Sequence, residues 1–284
     1  MSTPAANTVT STSTLERFGA FDRREVLLGG SAIAVAVAAH ADLPLLAIGL
    51  VFLVASYLRP ARLQDPRWWL AVAIASFVVD GTVFLELDDH TVLAHYWALA
   101  IGVSLLAEDP DRSLEVNGRL LIGLTTAFAV ASKLAWGEFA DGSFFESTLL
   151  LDDRFSWPAR LAGIADPAAN QEAYVHLVAG DPAPLATGPR VRAFAVALTV
   201  GTLALESALA VVHLLPFPSL ARVRLWLVAT FCVATYAIVP VVAFGGILLM
   251  MTAADRSRDR RSRLRILAGM LGLYAWGLVW VTVR

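Results

Sequence analysis

The chain has 284 residues, of which 57% are hydrophobic and only 16% are charged, and its mean hydropathy is +0.66. A soluble domain of this length carries more charge and has fewer unbroken apolar runs, so the composition excludes an ordinary soluble enzyme. The formal net charge is −2, and no basic, aromatic-interleaved surface stands out, so nucleic acid is not an expected partner. The single cysteine, Cys232, excludes an internal disulfide and any cysteine-based metal site.

Several apolar runs approach the roughly 20 residues that a helix needs to cross about 30 Å of hydrocarbon. The sequence therefore predicts an all-α, polytopic protein of the cell membrane with about eight transmembrane helices and the lipid bilayer as its first partner. Residues 1–20 are rich in Ser, Thr and Ala and lack apolar periodicity, which predicts a disordered tail. The predicted transmembrane domain covers residues 21–284.

The first two predicted spans form a helical hairpin. Arg23 and Arg24 precede an apolar run that ends in small residues, and a second run, 43–58, begins almost at once. We place the turn near Ala41, Asp42 and Pro44. The alternative is a cleaved signal peptide, since Ala39-His40-Ala41 imitates a cleavage site and the arginine pair imitates a twin-arginine signal.

Arginines at positions 59, 62 and 67 indicate a cytoplasmic loop under the positive-inside rule. The third and fourth spans are predicted at about 69–85 and 91–106, and the fifth ends at Lys133. The longest non-membrane segment, 136–190, then lies on the outer face. Its aromatic and apolar residues favour short helices on the membrane surface, or folded over the mouth of the bundle, rather than an independent domain.

The sixth span is predicted at about 191–215 and the last at 266–283, with a long apolar run, 225–251, between them. Arginines on both sides of that run indicate the cytoplasm, which a single crossing cannot satisfy. Either Pro240 splits the run into a re-entrant hairpin or segment 136–190 contains an extra crossing. Seven to nine spans fit the pattern, and eight is our prediction.

Lys133 is the only lysine in the chain, because every other basic position is an arginine. It lies at the end of an apolar helix-length run. Arginine stays charged, whereas a lysine gives up its proton when it is desolvated and can then act as a base. The alternative is a lysine whose side chain extends to the lipid headgroups.

Other ionisable residues fall within predicted spans, where such groups are costly and usually face the interior of the bundle. Glu206 is a candidate proton acceptor or partner of the lysine, and Thr202 and His213 share its helix face. His95 is a candidate proton-transfer group, and Asp80 lies near the end of a span. Each of these residues also has a structural alternative, a hydrogen bond to a neighbouring helix.

Three short motifs, taken together, resemble the membrane domain of vitamin K-dependent gamma-carboxylase and its bacterial relatives, the HTTM (horizontally transferred transmembrane) family. The resemblance covers about residues 71–255. A histidine-bearing helix start, a lysine followed by an aromatic residue and a glycine, and an intramembrane glutamate before a turn with Pro and Arg occur in the family's order. These motifs read DDHTVLAHYWALAIGVSLLAEDPDRSLE, AFAVASKLAWGEFADG and LESALAVVHLLPFPSLARVR.

The resemblance implies that Lys133 is the base that deprotonates a quinone cofactor in its reduced, vitamin K-like hydroquinone form. His95 and Glu206 are the further catalytic candidates, and Trp136 and Asp80 are candidate contacts to the quinone. No metal is expected. The implied enzyme is a carboxylase- or epoxidase-like lyase or an oxidoreductase. Glutamate carboxylation itself is not expected, because Ser132 replaces a second lysine of the carboxylase and no large soluble C-terminal domain is present to hold a protein substrate.

Three functions therefore remain open on the sequence. The first is a membrane enzyme that moves protons or electrons on a quinone-like lipid, which requires a lipid-sized cavity at Lys133. The second is a non-catalytic helper or scaffold for maturation or export of a membrane or exported partner protein, with segment 136–190 as an apolar contact surface and Lys133 and Glu206 as a structural pair. The third is a small transporter with Asp80 and Glu206 on the ion path.

Overall fold

The structure is a computed structural model that describes residues 22–39, 43–83, 89–135, 137–181, 184–239, 241–255 and 259–283. In these ranges every regular element is helical, which confirms the all-α class. The predicted tail at residues 1–20 lies outside the described ranges. The described helices are α1 Arg23–Ala38, α2 Leu43–Leu58, α3 Pro66–Val83, α4 Asp89–Leu105, α5 Pro110–Ala135, α6 Gly137–Ala140, α7 Ser143–Leu151, α8 Ser156–Leu161, α9 Pro167–Val178, α10 Val191–Leu214, α11 Ala221–Tyr236, α12 Val242–Ala253 and α13 Arg260–Val283.

Two of the described helices, α5 and α10, are long and apolar enough to cross a membrane by length and composition. With 26 and 24 residues they reach about 39 and 36 Å at about 1.5 Å per residue. Shorter apolar helices are α2, most of α4, and α12. Long apolar runs give these helices their stability, because packed apolar side chains favour helices more than local propensity does.

Contacts between helix ends show which ends lie together. The starts of α1 and α5 are joined by ion pairs in which Arg23 and Arg24 each reach Asp111 at 2.9 Å. The end of α10 lies beside the start of α5, because Arg119 donates to the carbonyl of His213 at 3.0 Å. The long helices α5 and α10 therefore run antiparallel.

Most of the described arginines collect at this same end of the bundle, which we call the basic end. Two hydrogen bonds bring further helix ends there: Ser113 to Ser104 at the end of α4, and Arg263 to the carbonyl of Arg23 at the start of α13. The start of α3 lies beside the end of α4, because the other ends of these two helices are joined by Asp80 and His95. Trp68 at the start of α3 in turn donates to Ser56 at the end of α2. The arginines of the basic end are Arg23, Arg24, Arg59, Arg62, Arg67, Arg112, Arg119, Arg222, Arg224, Arg260, Arg261, Arg263 and Arg265.

The apolar run 225–251 forms two antiparallel helices, α11 and α12. Phe231 near the end of α11 lies against Phe244 near the start of α12, with ring centroids 6.0 Å apart. At the other ends of the two helices, Arg224 and Asp255 line the same small cavity. Both outer ends of this hairpin are therefore at the basic end. Pro240, which the sequence analysis placed at the break, lies outside the described residues.

The main core lies between α1, α3, α4, α5 and α12, where large side chains such as Trp69 and Trp97 are fully buried. Small residues let the helices approach closely. A Cβ added to Gly118 on α5 would lie 2.8 Å from the carbonyl oxygen of Met251 on α12, so only glycine fits this contact.

The four short helices α6–α9 cover the end of the bundle opposite the arginines, which we call the covered end. They share a second, smaller core with the first turns of α10, in which Leu149, Ala159 and Ala162 are fully buried against Val191 and Ala195. The cover is thus packed onto the bundle and positions its residues above the end of α5, where Lys133 lies.

Candidate functional site

Lys133 and Glu206 form an ion pair across the antiparallel helices α5 and α10. The Lys133 Nζ donates to both carboxylate oxygens of Glu206, at 2.5 and 2.7 Å. The lysine side chain is 26% exposed and the glutamate side chain only 9%. A carboxylate this deeply buried needs a charged, hydrogen-bonded partner, because desolvation without one costs several kcal/mol. The pair explains why Glu206 is tolerated within an apolar helix.

The ion pair lies in the wall of a cavity of about 670 Å³. This volume falls within the roughly 300–1,000 Å³ that is usual for small-molecule sites. Apart from the pair, Glu138 and a few hydroxyl groups, the wall is apolar. The lining comes from the end of α5, the cover, the first half of α10 and the end of α11: Ser132, Lys133, Glu138, Phe139, Phe144, Phe145, Phe155, Ala197, Leu198, Gly201, Thr202, Leu205, Glu206, Phe231, Ala234, Thr235, Ile238 and Val239.

Four phenylalanines of the cover form an aromatic cluster over the cavity: Phe139, Phe144, Phe145 and Phe155. The first three rings contact one another with centroids 5.3 Å apart, and Phe155 joins Phe145 at 6.3 Å. The Lys133 Nζ lies 5.4 Å from the centroid of the Phe139 ring, within cation–π range. On the side of the cover, the amine thus lies against an aromatic ring.

The cover is tied to α10 by Arg192, whose guanidinium donates to Glu146 at 2.8 Å and to the carbonyl of Asp141 at 2.7 Å. Gly142 has a φ of 84°, a left-handed conformation that permits the sharp turn between α6 and α7. Beside it, the hydroxyl and the backbone N–H of Ser143 favour the carboxylate form of Asp141 and hold its pKa below the ordinary value. The turn carrying the aromatic cluster is therefore fixed at both sides.

Tryptophan side chains satisfy the last carbonyls of α11, on the opposite wall of the cavity. The indole N–H of Trp157 in α8 donates to the carbonyl of Ala237 at 3.0 Å, and that of Trp276 in α13 donates to the carbonyl of Tyr236 at 3.2 Å. The end of α11 is thereby joined to the cover and to α13. These bonds hold the residues that line the cavity next to Ala237.

The structure brings Lys133 and Glu206 together but pairs His95 elsewhere. The His95 Nδ1 lies 2.7 Å from a carboxylate oxygen of Asp80, and both side chains are buried between α3 and α4. Neither residue lines the cavity at Lys133. The four of these predicted residues that the structure describes thus fall into two separate pairs, Lys133–Glu206 and His95–Asp80.

Thr202 lines the cavity with Glu206, as expected of residues four apart on one helix face. His213 is on the same face but about 10.5 Å further along the axis, at about 1.5 Å per residue. It lines a second, much smaller cavity near the basic end with Arg119 and Arg224. Trp136, the other candidate contact to the quinone, lies outside the described residues.

The aromatic cluster and the α11 wall are not among the site residues predicted from the sequence. The signal for the cluster is visible in the sequence, because Phe139, Phe144 and Phe145 stand within seven residues of one another in a polar segment. No comparable signal marks the α11 wall, since Ala234 and Ile238 look like any other apolar helix residues. Only the tertiary fold brings that wall to the lysine.

Among the described residues, no three His, Cys, Asp or Glu side chains converge in a way that would hold a metal ion. The chemistry that this site offers is that of an acid–base pair under an apolar roof. Comparisons with protein-family models, with curated proteins and with solved structures found no match to this chain.

Proposed function

We propose that this chain is a multi-pass, HTTM-like protein of the cell membrane that binds a quinone-like lipid in the Lys133 cavity and transfers a proton from its hydroxyl group. The observation that carries the proposal is the position of the Lys133–Glu206 pair in the wall of a ligand-sized, largely apolar cavity. A purely structural ion pair needs no cavity beside it. An amphiphilic aromatic ligand needs both the cavity and the pair.

The membrane location is supported by the surface of the bundle. Large apolar side chains are highly exposed along several helices, among them Val51, Phe128, Val233 and Leu278, each at least 65% exposed. Soluble monomers rarely expose apolar surface on this scale. Arginines collected at the basic end support a cytoplasmic position for that end.

The α11–α12 hairpin supports a topology in which the run 225–251 enters and leaves from the same side. Our expectation of eight spans counted this run as one crossing. Counting it as two antiparallel helices places the arginines before and after it on the same side, as the positive-inside rule requires. The 12 residues of α12 reach only about 18 Å at about 1.5 Å per residue, so this helix fits a re-entrant element.

The ion pair accepts a proton as a unit. While Lys133 donates to both oxygens of Glu206, its ammonium has no lone pair, so the carboxylate is the acceptor and the ammonium stabilises the aryloxide that forms beside it. Lys133 becomes the base itself once it has passed a proton to Glu206. Phe139 replaces water on the cover side of the amine, which strengthens both effects.

The cavity's remaining groups fit an aromatic, hydroxyl-bearing ligand. The rings of Phe139, Phe144 and Phe145 offer edge and face contacts to a planar ring. Thr202 and Thr235 offer hydroxyl groups at the wall. These residues would orient a ring hydroxyl towards Glu206.

The test uses the full chain in lipid nanodiscs and a menaquinone-type hydroquinone with an isoprenoid tail. Dissolved O2 oxidises the deprotonated hydroquinone to the quinone and is itself reduced to H2O2, so the absorbance of the quinone reports how fast the proton is removed. We expect the wild type to accelerate consumption, and Lys133→Arg to lose about 10²-fold or more of that rate, the usual value of an acid–base group. Arg160→Lys, an exposed change of similar size in α8, is the control and should keep the full rate. Full activity in Lys133→Arg would refute the role of the amine.

A second candidate is a non-catalytic helper, which is favoured by the apolar surface of the cover. Leu161 on α8 and Tyr174, Val175 and Val178 on α9 are exposed. Such a surface suits a partner protein as well as lipid. A photoreactive residue at position 178 distinguishes the two in cells: a discrete protein adduct favours the helper, and adducts to lipid alone contradict it.

A further inference from the structure

We infer that the cavity opens sideways into the bilayer between α10 and α11, and that Gly201 is the residue that decides which lipid tails can pass. The inference rests on the proposed function, because it assumes a membrane around the bundle. It goes further in assigning the ligand's route and the position that selects it. The ligand class is a membrane-dissolved amphiphile with a polar, hydroxyl-bearing ring and an unbranched or isoprenoid tail.

The cavity wall between α10 and α11 carries small side chains. Ala197 and Gly201, one turn apart on α10, and Ala234 on α11 all line the cavity and are exposed. They stand next to Val200 and Val233, which are exposed but do not line the cavity. A cavity-lining residue beside side chains that are exposed outside the cavity lies at its mouth. Small side chains on both helices leave that mouth open.

Gly201 itself faces open space. A Cβ added there would meet no other atom within 4 Å, so the close approach of a neighbouring helix does not account for the glycine. A glycine inside a helix costs roughly 0.5–1 kcal/mol relative to alanine. At Gly118 the tight contact with α12 explains the glycine. At Gly201 there is no such contact, and a gap that a ligand occupies would explain it.

The surface around the mouth is apolar. Val200 beside Gly201 is 60% exposed, and Val233 beside Ala234 is 72% exposed. Between Arg192 and Arg222 the only ionisable side chains are Glu206 and His213, and both are buried. A mouth framed by exposed valines and free of charge faces hydrocarbon, not water.

The mouth lies within the length of a ring from the Glu206 carboxylate. Glu206 follows Gly201 by five residues, about 7.5 Å along the helix axis at about 1.5 Å per residue. Thr202 and Leu205 line the cavity between them. A ring placed at Glu206 therefore leaves its tail at Gly201, and the tail extends into the bilayer.

Thiol labelling tests the direction of the mouth. The only native cysteine, Cys232, is buried, so the variants Gly201→Cys and Ala165→Cys each add one accessible thiol, the second on the exposed cover. In nanodiscs we expect Gly201→Cys to react rapidly with pyrene maleimide, which dissolves in lipid. It should react slowly with a methanethiosulfonate reagent that carries a negatively charged sulfonate group and stays in water. Ala165→Cys should show the opposite order. If Gly201→Cys reacts with the charged reagent as fast as Ala165→Cys does, the mouth faces water and the inference is wrong.

Labelling needs no catalysis, so its result stands whether or not the hydroquinone assay shows activity. Where it does, Gly201→Leu tests selectivity. We expect the KM for a long-tailed hydroquinone to rise roughly tenfold or more, in line with steric discrimination in apolar pockets, with little change in kcat. The KM for a tail-free hydroquinone should rise much less, because no tail passes position 201. Gly272→Leu, which also enters open space but on α13, is the control, and an equal rise in KM for both ligands would refute selection by tail.

Discussion

At the scale of single residues, the Lys133–Glu206 pair is asymmetric, because the lysine is partly exposed and the carboxylate is buried. Removing the lysine leaves a buried carboxylate without a partner, whereas removing the carboxylate leaves an amine that can turn towards water. We therefore expect Lys133→Met to lower the free energy of unfolding by about 2–3 kcal/mol and Glu206→Gln by about half as much. Thermal unfolding in detergent measures both.

The double variant Lys133→Met/Glu206→Gln completes this cycle. It should recover part of the loss, because no unpaired charge remains, and the coupling energy should be about 1–3 kcal/mol. Additive losses in the double variant would mean that the pair does not interact in solution.

A second residue-scale prediction concerns pH. Ser143 holds the pKa of Asp141 below its ordinary value, so the folded state binds this proton less readily than the unfolded chain. The stabilisation is fully present above the unfolded pKa of about 3.9 and is lost as the pH falls through the lower folded value. The Tm difference between wild type and Asp141→Asn should therefore be constant from pH 5 to pH 7 and shrink below about pH 4. A difference that persists unchanged to pH 3 would contradict the assignment.

The sequence singled out the ion pair of the site, Lys133 and Glu206, but not the aromatic cluster or the α11 wall around it. Lys133 and Glu206 were both candidates because an amine or a carboxylate in an apolar helix is costly and therefore has a structural or functional role. Whether the lysine would contact Glu206 or His95 could not be predicted, because that choice depends on which helices become neighbours. Asp80 and His95 each looked like a separate candidate for the same reason, although they bind each other.

At the scale of elements, helix bounds followed the apolar runs closely. The second span was predicted at 43–58 and α2 covers the same residues, because polar or helix-breaking positions flank the run on both sides. The division of 225–251 into α11 and α12 was predicted only as one of two alternatives. A proline within an apolar run is compatible with a kinked single helix or with two helices, and the packing of Phe231 on Phe244 selects the second.

Close contact between α5 and α12 depends on Gly118. We expect Gly118→Ala to destabilise the protein by about 1–3 kcal/mol, because the new methyl group meets the carbonyl of Met251 and the helices must separate. Gly272→Ala, which enters open space on the exposed face of α13, should instead stabilise the protein by a few tenths of a kcal/mol to about 1 kcal/mol through helix propensity. Equal effects of the two variants on Tm would show that the contact is not close.

At the scale of the whole molecule, the arrangement of helix ends makes a prediction about sidedness. Ser219 before α11 and Arg261 in the first turn of α13 are both exposed and both at the basic end, whereas Ala165 lies on the cover. Cysteine variants at 219 and 261 should react with an impermeant thiol reagent from one face of sealed vesicles, and the variant at 165 from the other. Opposite sidedness of 219 and 261 would mean that 225–251 crosses once.

The all-α class could be predicted from the sequence, because its apolar runs reach helix length and lack the alternation that strands show. The packing of the cover could not, since short helices such as α8 and α9 have weak periodicity and are fixed by contacts with α7 and with each other, while α7 packs on α10. The cavity lies between the cover and the bundle. Its roof comes from the cover and its floor and walls from the bundle.

The solitary amine of Lys133 has one more consequence. Reductive methylation with isotope-enriched formaldehyde modifies every ε-amino group of a protein, and this chain has only one. The product keeps its positive charge and one N–H, so it can still face Glu206. Its methyl carbons would give a single side-chain NMR signal, distinct from that of the terminal α-amine, that reports on the occupancy of the cavity directly.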